Sequence, residues 1–182
     1  MSDLEVEHNK KLIQDLHERV SRLEAPVEIK VKKVDEEATL PTRAHDDDAG
    51  WDLYALDEPI KRDRFNPKLM QDILKGGQAY IYRTGISVEI PKGYYLDVRA
   101  RSSVSNNTSL ILSNGAGVVD AGYRGEILVV FRGVAPQTQS LYEKGDRIAQ
   151  MILTKIPSCE LVEVNELSET ERGSGGHGSS GA

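Results

Sequence analysis

The feature that most constrains this chain is an alternation of apolar and polar residues with period two, which begins at Val27 in VEIKVKKV and is followed by a series of short strand-like runs. A strand with one face buried and one wet reads in this way. Further runs of strand character cover residues 79–81, 85–90, 95–100, 109–112, 127–131, 148–155 and 161–164. Most are divided by Gly, Pro or Asn turn signals such as Pro91-Lys92-Gly93, and no long helical pattern lies between them. Parallel sheets need crossover helices, so the pattern predicts an all-β antiparallel barrel or jelly roll rather than an α/β sheet.

A chain of 182 residues with 38% hydrophobic content closes one core and carries a modest appendage; a second enzyme domain does not fit. The net charge of -6 argues against a broad surface for nucleic acid, so any phosphate site has to be local. Aromatics make up only 5% of the chain, too few for a stacking ladder along a single strand. There is no apolar run of about 18 residues and no basic-then-apolar leader, which leads us to expect no membrane partner and a cytoplasmic location, in the host if the source is viral. Cys159, the one cysteine, is read as inert.

Three segments stand apart from the β pattern. In residues 1–26, Val6, Asn9, Ile13, Leu16, Val20 and Leu23 recur at alternating spacings of three and four, a short heptad seam on a helical extension. Fewer than three heptads make a marginal coiled coil that needs support from a body that already oligomerises; a helix packed on its own domain, or a frayed tail, is the alternative. Residues 58–77 read as a surface insertion in which Asn66-Pro67 opens a short helix through Leu74 and Gly76-Gly77 ends it. Residues 169–182 read as a floppy tail after a β domain spanning 27–168; the final RGSGGHGSSGA combines an Arg, five glycines and adjacent hydroxyls suited to wrapping a phosphate.

Four more segments carry chemistry. Asp52 follows a Gly inside the apolar run AGWDL. Arg101-Ser102-Ser103 pairs a guanidinium with two hydroxyls and a nest of backbone N–H groups. NGAGVVDAGYRGE, from Asn114 to Glu126, reads as a glycine-rich hairpin with Asp120 and Tyr123 near its turn, and KGDRIAQ leads from a turn into a strand at Gln150. Taken singly each is weak, since an Asp in such a hairpin is most often a turn residue.

In order, AGWDLYA, RSS, NGAGVVDAGYRGEI, KGDRIAQMIL and RGSGGHGSSG resemble the five ordered motifs of the trimeric dUTPase family. The resemblance implies a jelly-roll homotrimer whose active sites are assembled from motifs of all three chains. The implied reaction is hydrolysis of dUTP to dUMP and pyrophosphate with Mg2+, which limits uracil in DNA and supplies dUMP for dTTP synthesis. It further implies that Asn114, Gly117, Val118 and Val119 form the uracil pocket and exclude a 5-substituent, that Tyr123 lies under the deoxyribose, and that Asp120 orients and deprotonates the water attacking the α-phosphorus. By the same resemblance Arg101, Ser102, Ser103 and Gln150 hold phosphate oxygens, Asp52 meets magnesium through water, and the tail closes as a lid through Arg172, His177, Gly178, Ser179 and Ser180. Asp120, Gln150 and Arg172 are the implied catalytic residues.

This sequence departs from the family at His177, where a uracil-stacking Phe is usual; imidazole buries less area and titrates near pH 6.5. Trp51 stands where Tyr is common and Ser180 where Thr is. Within the same fold, dCTP deaminase is the nearest rival, but the strand after the hairpin reads Ile127-Leu128-Val129-Val130-Phe131 without that branch's catalytic Glu, and that branch lacks the lid. A nucleotide-sensing or protein-binding module is the rival from another class, acting through the helix or the insertion, either of which is a candidate site for a protein partner.

Overall fold

The computed structural model describes residues 3–24, 26–60, 79–134 and 141–176. Among them nine strands form three antiparallel sheets: β1 (Lys30–Lys33), β2 (Trp51–Tyr54), β3 (Ala79–Arg83), β4 (Ile86–Glu89), β5 (Tyr94–Ala100), β6 (Leu110–Leu112), β7 (Gly117–Asp120), β8 (Leu128–Gly133) and β9 (Arg147–Lys155). The four-stranded sheet runs β2-β9-β5-β7, the three-stranded sheet β3-β8-β6, and β1 pairs with β4. This is the all-β jelly roll expected from the alternation, preceded by the helix α1 (Asp3–Glu24).

Side chains from both larger sheets interleave in one core. Leu53, Tyr82, Leu96, Phe131 and Ile148 are fully buried, and each such side chain contributes roughly 1.5–3 kcal/mol. Tyr82 meets Phe131 edge-on, with centroids 6.0 Å apart at 75°, a favoured aromatic geometry. Its buried hydroxyl accepts the Tyr142 backbone N–H at 3.0 Å, and burial pushes the phenol up to about 12. Thr84, also buried, donates to the Ile127 carbonyl at 2.7 Å and so ties the turn after β3 to the start of β8.

Four features differ from the sequence-based expectation. Residues 161–164 are not a strand: Leu161 is 99% exposed and 156–176 lie outside regular structure. Alternating LVEV has strand propensity, but no strand edge of its own chain pairs with it. Residues 30–33 do form a strand, yet all four are exposed rather than half-buried, because β1 pairs only with β4 at the margin of the fold. Trp51–Tyr54 is a strand that was not anticipated, and Ser102–Asn107 forms a short helix, α2, where a nest was expected. The helix expected at 66–74 lies outside the described residues.

Candidate active site

Glycine and aromatic chemistry shape the hairpin around β7. Gly115 takes a φ of +69, a left-handed turn that strains any residue with a Cβ. β7 then pairs with β5 in the register Gly117 to Val98, Val118 to Asp97, Val119 to Leu96 and Asp120 to Tyr95. A Cβ on Gly117 would sit 3.1 Å from that of Val98, so glycine keeps the space open. Beneath lies a cavity of about 250 Å³, lined by Val98, Leu112, Asn114, Gly117–Val119, Asp120 and Tyr123 among others. Walls that mix apolar side chains with polar groups suit a small planar ligand that carries hydrogen-bonding edges.

The Tyr123 ring lies over Gly125, where any Cβ would run into the phenol, and its hydroxyl donates to the Glu126 carbonyl at 3.0 Å. Glu126 in turn accepts the Gly85 N–H at 2.7 Å and Arg83 Nε at 3.2 Å, anchoring the hairpin base to the β3–β4 turn. The Asp120 carboxylate is exposed, and among the described residues it makes no hydrogen bond or ion pair.

A second group gathers where β2, β9 and the end of β5 meet. Asp52 faces Gln150 across the β2–β9 pair, and Gln150 faces Arg99 across the β9–β5 pair. The Asp52 carboxylate, only 13% exposed, receives Arg101 Nε at 2.8 Å on one oxygen and a terminal nitrogen of Arg147 at 3.2 Å on the other. Arg101 also donates to the Arg147 carbonyl at 3.3 Å and to Ser103 Oγ at 3.4 Å, and Gln150 Nε2 donates to the Ala100 carbonyl at 3.4 Å. Two guanidiniums against one carboxylate leave a local surplus of positive charge in an acidic chain. Ser102 opens α2 with its side chain exposed.

The structure thus brings together Asp52, Arg101, Ser103 and Gln150, and separately Asn114, Gly117, Val118, Val119, Asp120 and Tyr123. Along β5 the hairpin group runs from Asp120, at the Tyr95 end, to Gly117 opposite Val98, one residue short of the Arg99–Gln150 pair, so within it Asp120 lies farthest from the Arg101 group. Asp120 is opposite Tyr95 and Arg101 lies six residues further on, a separation of roughly 20 Å at the rise of extended chain. Gln150 is on β9, across β5 from β7, four residues along from the level of Asp120. Arg172 sits on an exposed turn, its Nε donating to the Gly175 carbonyl at 3.0 Å, and no hydrogen bond or ion pair among the described residues joins it to either group. His177, Gly178, Ser179 and Ser180 lie outside the described residues.

Sequence reasoning passed over Arg147 and Glu126 as individual residues although each stood in a segment it had singled out. Nothing local ties Arg147 to an Asp 95 positions away. Among the described residues no group of three His, Cys, Asp or Glu side chains is placed to hold a metal, and both Asp52 oxygens already carry a guanidinium. These residues do not fit a magnesium ion held by the chain alone.

Known proteins resemble this chain along most of its length. Residues 36–181 match the dUTPase family. The deoxyuridine 5'-triphosphate nucleotidohydrolase of Mycobacterium marinum is 40% identical over 156 residues, covering 83% of this chain and 93% of the relative. That of Thermobifida fusca is 36% identical, covering 85% and 79%. Among solved structures, the dUTPase of Staphylococcus bacteriophage 80alpha with dUPNHPP aligns with a TM-score of 0.65 at 27% identity, covering 85% of this chain and 99% of that one. No described helix is long and apolar enough to cross a membrane.

Proposed function

The chain belongs to the dUTPase family, and from that premise we propose that it hydrolyses dUTP to dUMP and pyrophosphate at sites that neighbouring copies of a homotrimer build together. The observation that carries the shared site is the separation along β5. A water-activating carboxylate and the groups that clamp the α-phosphate have to meet at one phosphorus atom, within a few ångströms. Asp120 and the Arg101–Gln150 group of a single chain are about 16–20 Å apart by strand geometry. The hairpin of one copy therefore works with the arginine-rich group of another.

In this arrangement the β7 hairpin takes the base. Asn114 and the backbone of Gly117, Val118 and Val119 read the uracil edge, and the space left by Gly117 admits the ring while tight packing against Val98 rejects a 5-methyl group. Tyr123, held over Gly125, supports the sugar face and disfavours a 2'-hydroxyl. Asp120, with no partner among the described residues to compete for its oxygens, accepts the proton of the attacking water. From the second copy, Ser102, Ser103 and Gln150 contact phosphate oxygens, while Arg101 and Arg147 offset the charge that develops on the leaving pyrophosphate. Asp52 holds those two guanidiniums in place. Magnesium comes with the triphosphate, as its counter-ion, and Asp52 meets it through water at most. Arg172, His177, Gly178, Ser179 and Ser180 complete the site from the tail, with Arg172 on the γ-phosphate.

Pyrophosphate release from dUTP, dCTP, dTTP and UTP in magnesium, for the parent and for Asp120→Asn, tests this reading. It expects turnover of dUTP alone and its loss in the variant. Tight dUTP binding without turnover in the parent points to a sensing role instead, and ammonia release from dCTP to a deaminase.

A further inference from the structure

The helix α1 stands outside the candidate site described above. Its 22 residues span about 33 Å, and every described side chain from Glu7 to His17 is exposed, including Leu12 at 52%, Ile13 at 53% and Leu16 at 47%. Three neighbouring aliphatic residues standing in water on one helix are costly unless something covers them. The helix itself limits what that can be. Asp3–Glu24 holds six acidic and four basic residues, which disfavours an anionic lipid surface or a nucleic acid as the cover.

The heptad positions favour a copy of the same helix. With Val6, Ile13 and Val20 at a and Asn9, Leu16 and Leu23 at d, the flanking g positions are Glu5, Leu12 and Arg19 and the e positions Lys10, His17 and Glu24. In a parallel arrangement g faces e of the next heptad on the neighbouring helix, so the sequence pairs Glu5 with Lys10 and Arg19 with Glu24, opposite charges both times. Direction is decided by Asn9. Parallel helices in register put the Asn9 amides in one layer, where they hydrogen-bond to one another. An antiparallel overlap of the full helix puts Asn9 against Val20 and leaves a buried amide unpaired.

We propose that α1 is a homotypic assembly helix, packing in parallel and in register against α1 of other copies of this chain, with Ile13 and Leu16 in the seam and Asn9 fixing the register. The helix is too short to associate firmly by itself. Tethering to an oligomeric β domain raises its effective concentration, and the helix in turn strengthens the assembly.

Cysteine crosslinking in the full-length chain tests this, in a Cys159→Ser background because Cys159 is exposed. Val6→Cys, which keeps Asn9, is compared with Lys11→Cys, which lies on the outer face, and with an equimolar mixture of Val6→Cys and Leu23→Cys chains; light scattering reports the copy number of each. The expected result is a 6-to-6 disulfide forming about tenfold or more faster than an 11-to-11 disulfide. A preferred 6-to-23 disulfide overturns the parallel register. Equal, slow crosslinking at 6 and 11 in a chain that still scatters as an oligomer overturns the assembly helix while leaving the shared active site standing.

Discussion

The two ends of β5 solve different problems with different chemistry. Along the Tyr95–Val98 stretch the β7 hairpin offers a cavity of mixed polar and apolar lining, a backbone opened by glycine and a carboxylate, Asp120, that no described residue engages. At the Arg101 end the polar groups are already bonded to one another, with Asp52 drawing Arg101 and Arg147 into one cluster. A base is recognised by shape and a few backbone hydrogen bonds, so that pocket can wait open without strain. Flexible arginines meeting a triphosphate lose side-chain entropy on binding, and a carboxylate that holds them beforehand reduces that loss. The contrast sets a carboxylate left unengaged by the described residues, Asp120, against one held in two ion pairs, Asp52.

The sharpest break of this comparison is chemical. Asp120→Asn should lower kcat for dUTP by about 10²–10⁴-fold, the usual contribution of a positioned base. Because its carboxylate bonds to no described residue, thermal unfolding should be unchanged. A comparable loss of stability would mean that Asp120 belongs to the framework. Next comes Gly125→Val, whose side chain runs into the Tyr123 ring. Displacing that ring should reduce kcat/KM by roughly 10²-fold and weaken discrimination against UTP, while leaving the Arg101 cluster intact.

Much of this fold was legible from short strand-like runs set between turn residues, which mark β3, β4, β5, β6, β8 and β9. The hairpin was legible because glycines at 115, 117, 122 and 125 mark a local conformation. Partnerships across the chain were not. Asp52 and Arg147 meet only because β2 pairs with β9, and no local pattern encodes that pairing. Residues 161–164 show the converse failure: LVEV has strand character, but a strand exists only where an edge accepts its hydrogen bonds. α2 was hidden because Ser and Asn are weak helix formers whose conformation here follows from Val104 being drawn into the core.

The phosphate end yields smaller effects. Asp52→Asn and Arg147→Ala should each reduce kcat/KM by about tenfold and combine non-additively, with a coupling of about 1 kcal/mol in a double-mutant cycle for this partly exposed pair. Additive losses would mean that the two act independently. The smallest expected effect is that of His177→Phe. Below the ordinary imidazole pKa of about 6.5 the side chain becomes a cation and stacks less well on uracil. The parent KM should therefore rise by a few-fold on the acid side, and the variant profile should be flat; identical profiles would remove His177 from the base contact.

The central claim is that the hairpin of one copy works with the arginine cluster of another, and subunit mixing tests it most directly. Asp120→Asn and Gln150→Ala chains, each inactive alone, would be unfolded together, refolded as a mixture and assayed for dUTP turnover. Random assembly should restore about one quarter of the sites, since each restored site takes its hairpin from a Gln150→Ala chain and its cluster from an Asp120→Asn chain. No recovery from mixed oligomers, verified by mass, would contradict the account and put both halves of the site in a single chain.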